Sequence, residues 1–428
     1  MSIRVKCHFL ICRAFKVLST AGFSAVIRVS FEMIDVTGLD DAAAVIADAM
    51  EQQQHLGVQA MATKAALGRD ADYDDVINVS AFSGIIDYQP DELILTLRAG
   101  TPMHEVESTL ASANQMLAFE VPDLHKILAS QSVGTIGGVL ATNASGPRRL
   151  TAGAARDYLL GFDAISGRGE RFKSGGKVVK NVTGYDLSKL ICGSYGTLAI
   201  FDEVTLKTLP KPETNISLLF PCDDLSAAVA RIAGIFASPH EPNAAAILPQ
   251  AISAKAGIDV AGVMLAIIRL EGIDVSVADR AAHLLAAHKE GVKLDNDAST
   301  ALWQQIRDVD LLAEADGDIW KLSCAPASAP AIIATLFDQF DFQFFADWAG
   351  GLLWLAGPSG AEFGTAMRSA LAANGNGHAQ LIRDSGNSKN VIAALQPLSS
   401  AHYALHKRVK AAFDPRSVLN FGRMHDGI

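Results

Sequence analysis

The chain has 428 residues, half of them apolar, and a net charge of −10. That length suggests two or three domains with a sizeable core, and the acidic balance argues against a nucleic-acid-binding role, which needs clustered Lys and Arg. No uncharged apolar run reaches the length of a membrane span, and the five cysteines (Cys7, Cys12, Cys192, Cys222, Cys324) form no CxxC, so an iron–sulfur or zinc site lacks its usual spacing.

Residues 1–32 carry Arg4, Lys6, Arg13, Lys16 and Arg28 against Glu32 alone. Arg13 and Lys16 interrupt any secretory apolar core, which leaves a basic targeting segment or a non-native extension ahead of a true start at Met33. The second reading is preferred, with residues 1–32 packing poorly. Residues 39–55 place Val45, Ile46, Ala49 and Met50 on one helical face. Strands are expected at 57–61, 76–79 and 93–99, with Gly84 and Pro90 as punctuation. A helix follows Thr101-Pro102, with Thr101 as N-cap, Pro102 at its first position and Glu105 at the favoured end.

The stretch from Gly134 to Lys207 is the richest in signals. Gly134-Thr135-Ile136-Gly137-Gly138 leads into a short helix ending near Gly146, and 158–165 with 170–172 reads as a hairpin around Ser166–Gly169. Small residues recur wherever the backbone must turn or lie close to a ligand, the pattern of a chain wrapped around a large phosphorylated cofactor. Pro210 and Pro212 mark a domain boundary. Beyond them Ala-rich helices (224–237, 275–289, 360–373) alternate with strands such as 261–269 and 351–356, an α+β texture. A helix over 400–412 runs into an irregular tail.

Several ordered blocks resemble one family: Ala99-Gly100-Thr101-Pro102, Met116–Pro122, Thr135-Ile136-Gly137-Gly138, Ser145-Gly146-Pro147-Arg148-Arg149, Lys180–Leu190 and Gly193-Ser194-Tyr195-Gly196-Thr197-Leu198. The second domain adds Leu302-Trp303…Arg307, Ile319–Ser323, Trp348…Trp354 and Gly377-His378-Ala379…Arg383. The tail Leu419-Asn420-Phe421-Gly422-Arg423-Met424 resembles the family ending Asn-Pro-Gly-Arg, with Phe421 in the proline position. The chain is similar over about 35–428 to the FAD-binding subunit of bacterial glycolate oxidase (glycolate dehydrogenase), within the vanillyl-alcohol-oxidase/PCMH flavoprotein superfamily.

The resemblance implies an α+β fold. A two-lobed PCMH-type FAD domain would span 33–212 and an α+β cap 213–395, with a helix and tail over 396–428 returning to the FAD domain. It implies noncovalent FAD, since no His or Cys lies within 57–70 to attach a flavin. Cofactor contacts are expected from Thr63, Lys64, Pro122, Gly134, Thr135, Ile136, Gly137, Gly138, Asn143, Gly146, Gly196 and Ile200. Asn143 would bond the flavin or order its loop, and the helix after Gly138 would point its positive end at the pyrophosphate. The family's first loop ends Gly-x-Gly-Thr-Lys, whereas this chain has Gln59-Ala60-Met61-Ala62-Thr63-Lys64. Alanine tolerates positive φ poorly and its methyl blocks close approach, so a weakened grip on the pyrophosphate is expected.

For a 2-hydroxy-acid substrate, Arg307, Lys321 and Arg383 could bind the carboxylate and His378 could take the hydroxyl proton. Trp303, Trp320, Trp348 and Trp354 are read as packing, Arg148-Arg149 as facing phosphates or a partner, and His402 with His406 as surface rather than metal ligands. No metal is expected. The implied assembly contains a sister flavoprotein chain and an iron–sulfur protein, and the implied location is cytoplasmic or peripheral on the inner face of the plasma membrane. Two alternatives are a free-standing D-lactate or 2-hydroxy-acid dehydrogenase and a flavin-free structural component of the complex.

Overall fold

A computed structural model describes residues 32–177, 184–260 and 262–428. The proposed N-terminal extension, Glu32 excepted, and the Lys180-Asn181-Val182-Thr183 block lie outside the described residues. Within them the fold is α+β, built on a small parallel sheet, a five-stranded sheet and an eight-stranded sheet, with a two-stranded ribbon beside them.

In the first lobe, strands Glu32–Asp35 and Leu56–Gln59 flank Asp75–Asn78 in parallel. Parallel neighbours need a crossover, and the helix Leu39–Gln52 supplies one between the first two strands. It buries Leu39, Ala42, Ile46 and Ala49, a three- and four-residue spacing that puts them on one face. They meet Ile77 together with Ile165 and Ile200 of the second lobe, so one core joins both lobes. The second lobe is an antiparallel sheet ordered Ile85–Gln89, Ile94–Arg98, Ala199–Lys207, Leu159–Ser166, Arg171–Gly175. The expected hairpin is present, with Ile165 opposite Arg171. One detail differs: Pro102 holds the N-cap position of the helix Met103–Ser112. The Thr101 hydroxyl instead donates to the Arg98 carbonyl and accepts from the Gly84 amide, tying the strand end to a turn.

The cap sheet runs Val292–Leu294, Thr214–Cys222, Met264–Gly272, Ala244–Pro249, Gln343–Asp347, Leu352–Gly357, Asp318–Ser323, His378–Arg383, all antiparallel. Alternate residues face opposite ways. Ala245 and Ile247 join a core with the helices Leu225–Phe236, Asp274–Ala287, Ala329–Phe337 and Ala361–Ala373. Ala244, Ala246 and Leu248 face the helix Asn296–Arg307 and, beyond it, Leu67, Ile127 and Tyr195 of the two lobes. The second face of the cap sheet is therefore the roof of the interdomain space.

A buried four-residue ion cluster joins cap to lobes. Arg269, in the cap strand Met264–Gly272, grips Glu120 with two hydrogen bonds of 2.8 Å. Arg148 donates its amide to Glu120 (2.8 Å) and its Nη2 to Glu271 (2.6 Å). Burial pushes the Glu120 carboxyl up, but Arg269 and Arg148 outweigh it and hold the group below the usual carboxylate range. The tail closes the lobes from the other side. Lys410, almost wholly buried, donates to Asp414 and to the carbonyls of Thr197 and Leu419. The following segment then runs along the outer edge of Leu56.

Glu120→Gln would leave two buried guanidinium groups short of their shared carboxylate, a change that should cost about 3–5 kcal/mol. A urea midpoint indistinguishable from wild type would show that the cluster does not hold the domains together.

Candidate active site

Two short loops face each other where the lobes meet. The first continues from the strand Leu56–Gln59 through Ala60-Met61-Ala62-Thr63-Lys64, and the second is Gln131–Thr135. Among the described residues, none of the backbone N–H groups of 60–64 or 131–135 has an acceptor within the protein. Successive unpaired amides around a left-handed residue form an anion-binding concavity, and Ala62 supplies that residue at φ +54°. Lys64 completes the cradle. Its ammonium donates to the Val133 carbonyl (2.7 Å) and has no salt bridge among the described residues. Burial, partly offset by Asp123, lowers its pKa to about 8. A half-buried cation with one neutral acceptor is suited to an anion.

From this cradle a cleft runs under the cap sheet. One wall carries Pro122, Ser130, Ser132, Val133, Thr142, Ala144, Ser145 and Gly146, while Lys321, Asp347, Leu352, Trp354, Gln380 and Ile382 descend from the cap. Tyr195 bridges the two, accepting from Gln380 Nε2 at 2.7 Å. Lys321 lies over the rings of Trp348 (5.3 Å) and Trp354 (5.6 Å). Burial, with Arg149 adding repulsion, brings its pKa down to about 8. Asp347 accepts from the Trp348 amide at 2.7 Å, yet burial, together with nearby Glu120, raises its carboxyl to about 7. Perturbed groups of opposite type in one cleft mark a functional site.

The residues expected from the sequence divide into three groups. Thr63, Lys64, Pro122, Gly146, Arg307 and Lys321 line the cleft, and Gly134 (φ +91°) sits so close to the Thr63 hydroxyl that any side chain there would collide with it. A second group builds the scaffold. The amides of Ile136 and Gly137 donate to the carbonyls of Thr101 and Ala99, and that of Gly138 donates to the capping hydroxyl of Thr135. Those groups are engaged within the protein, so the amides left free for an anion are those of the loops rather than of the helix start. Gly137 is required because a Cβ would lie 2.7 Å from the Ala99 carbonyl. Asn143 caps the same helix and accepts from the Arg156 amide, the loop-ordering role. Gly196 abuts Asn420, and Ile200 is buried in the core between the lobes.

The third group lies away from the cleft. His378 is exposed at the start of its strand, and Arg383 at the strand's far end donates to the carbonyls of Ala313, Ala315 and Gly317. Neither reaches the reacting space, which corrects the assignment of a base and a carboxylate ligand to them. Arg307 does reach it, but its guanidinium is neutralised by a bidentate pair with Asp308 at 2.7 and 2.8 Å. Arg148 belongs to the ion cluster rather than a phosphate or partner site, and Arg149 stacks on Trp348 at 4.8 Å. Asp347, Tyr195 and Gln380 were not foreseen. Asp347 carries no motif, and only its place beside Trp348 at a strand end could have drawn notice.

Comparison with known proteins places this geometry. The chain is 34% identical over 378 residues, 88% of its length and 94% of the relative's, to glycolate oxidase subunit GlcE of Escherichia coli K12. The chain belongs to the GlcE family. Residues 33–175 match the FAD binding domain family, covering the first lobe and much of the second. Glycolate oxidase subunit GlcD of Bacillus subtilis 168 is 38% identical over 122 residues, 28% of this chain and 26% of that one. The solved structure of p-cresol methylhydroxylase with substrate bound superimposes with a TM-score of 0.65 at 13% identity, over 92% of this chain and 88% of that one, which supports a shared fold. Family members are FAD-binding oxidoreductases, and FAD is the cofactor. The site fits it: two facing amide loops and Lys64 suit a diphosphate.

Lys64→Met separates an anion-binding role from a structural one. Without its unpaired, half-buried charge the flavin-free protein should become more stable, by about 1–4 kcal/mol, while FAD affinity falls at least tenfold. Thermal melts and flavin titration measure the two, and a loss of both stability and affinity would refute the assignment.

Proposed function

We propose that this chain is the FAD-carrying component of a glycolate dehydrogenase-type complex, oxidising a small 2-hydroxy acid to its 2-oxo acid. The observation that carries the reading is the pairing, in one cleft, of Lys321 and Asp347 opposite the lobe residues suited to FAD. When bound, FAD supplies the acceptor for the hydride leaving the substrate's hydroxyl-bearing carbon. Lys321 binds the substrate carboxylate, since it is the cleft cation on the cap side not already neutralised. Asp347, raised to about 7, accepts the hydroxyl proton. The apolar wall of Leu352, Trp354 and Ile382 excludes water and strengthens both interactions.

Support for the complex comes from the full-length likeness to GlcE, named as one component of an oxidase, against the partial likeness to GlcD. Electrons would leave through an iron–sulfur protein, with a sister flavoprotein beside this one, because this chain has no CxxC of its own. Likeness to a D-lactate dehydrogenase of Anaerostipes hadrus, 30% identical over 169 residues, keeps D-lactate as the alternative substrate. No helix among the described residues is long and apolar enough to cross a membrane.

Purified alone, the chain should be yellow, and with its neighbours in the complex it should turn over glycolate with an artificial acceptor. Asp347→Asn should lower kcat about 10²–10⁴-fold with the flavin spectrum intact, and Lys321→Met should mainly raise KM. The pH profile of kcat/KM should be a bell. Activity falls as Asp347 is protonated below about 7 and again as Lys321 loses its proton above about 8. A colourless, folded protein would instead favour a structural role, and turnover untouched by Asp347→Asn would remove it as the base.

A further inference from the structure

Asn420 lies almost wholly buried in the tail, at φ +42°, with every polar group used. Its amide donates to the Leu56 carbonyl (2.9 Å), its Oδ1 accepts from the Val58 amide (2.8 Å), and its Nδ2 donates to the Tyr195 carbonyl (2.8 Å). Leu56 and Val58 belong to the strand that runs directly into the amide loop 60–64. Tyr195 comes from the second lobe, and its ring lines the cleft. Tyr195 is left-handed at φ +57° and Gly196 follows at φ +71°. A Cβ on Gly196 would lie 2.7 Å from Asn420 Nδ2, so the glycine is there to admit the asparagine.

Three residues further on, Arg423 Nη2 donates to the Lys64 carbonyl at 2.8 Å, and the Arg423 carbonyl accepts from the Arg69 amide at 2.8 Å. Gly68 is required at that point, because a Cβ there would come within 2.6 Å of the same carbonyl. Between them, Phe421 stacks on His55 at 4.7 Å. A short tail segment thus grips the amide loop just before its start, at Val58, and at its end, at Lys64. It also grips Tyr195 of the second lobe, which lines the same cleft. The segment is itself held by Asp414, which accepts from the amides of Val418 and Leu419.

We infer that Asn420 and Arg423 are positioning residues for the cofactor's diphosphate. They fix the loop 60–64 and Tyr195 relative to each other without touching the cofactor. A loop lacking glycine, with an alanine in the left-handed region, relaxes readily once released. Holding it from outside compensates for what its own sequence lacks. The inference rests on the FAD reading above. Coupling of this kind is reciprocal: whatever factor the docked tail adds to FAD affinity, FAD adds to tail docking.

The test uses the full-length chain. Asn420→Ala and Arg423→Met should each weaken FAD binding roughly tenfold or more, one lost buried hydrogen bond to a strained loop being of that order. Asn420→Asp, which keeps the acceptor for Val58 and loses the donor to Tyr195, should also bind less tightly than wild type. Circular dichroism and the melting temperature of the flavin-free proteins establish that the variants are folded. Variants that fold and bind FAD with wild-type affinity overturn the inference and leave the FAD reading standing, whereas a wild-type chain that binds no flavin overturns both. Should Asn420→Ala not fold, hydrogen exchange on the wild type decides the matter. FAD should slow exchange at the amides of Val58 and Asn420, and unchanged rates there would overturn the inference.

Discussion

The buried cluster of Glu120, Arg148, Arg269 and Glu271 is the constraint on which the cleft depends. Glu120 precedes Val121-Pro122, and Pro122 is part of the cleft wall. Gly146, another wall residue, would bring a Cβ within 2.7 Å of the Glu120 carbonyl. Arg269 and Glu271 lie on a central strand of the cap sheet. Two guanidinium groups and two carboxylates, alternating out of water, tolerate little displacement, because any gap exposes an unpaired charge to a low dielectric. Hydrophobic contact could hold the two domains together with some slip. The ion cluster sets their register, and with it the height of Lys321 and Asp347 above the lobes.

Charge is treated in two opposite ways within a short distance. At the joint every ion is matched, and Lys410 beneath the tail has three acceptors. Along the cleft, Lys64 and Lys321 are left without salt-bridge partners among the described residues, and Asp347 is held near neutrality by burial. Unmatched burial costs stability, and folded proteins retain it chiefly where a ligand supplies the missing charge. The contrast separates the surfaces that hold the molecule together from those that bind and react.

The fold was legible because its signals are local. Gly-rich turns, the 158–172 hairpin and the Ala-rich helices each depend on neighbours in sequence. The cap sheet was harder to read, since both faces of strands such as Ala244–Pro249 are buried and their apolar runs show no alternation. The site was legible in part. Lys321 and Arg307 were found because motif blocks carried them into the cleft. His378 and Arg383 lay in an equally good block and reach the surface or a structural turn, because they occupy the two ends of an edge strand. The ion cluster joins residues as far apart as Glu120 and Glu271, and nothing in the local sequence announces such a pairing.

The first loop shows how loss of a motif can mislead about loss of a shape. With no glycine in Ala60-Met61-Ala62, the sequence argues for a weakened grip on the pyrophosphate. The structure keeps the loop open, with Ala62 in the left-handed region at φ +54° and five successive amides free of protein acceptors among the described residues. Such a conformation costs an alanine about 1–2 kcal/mol, and strain of that size persists only where the surroundings enforce it. Here they do: Asn420 fixes the strand before the loop, Arg423 fixes its last carbonyl, and Thr63 rests against Gly134. Ala62 is exposed at the surface of the loop. The alanine therefore adds strain at φ +54°, and the glycine that closeness truly demands is Gly134, on the opposite loop.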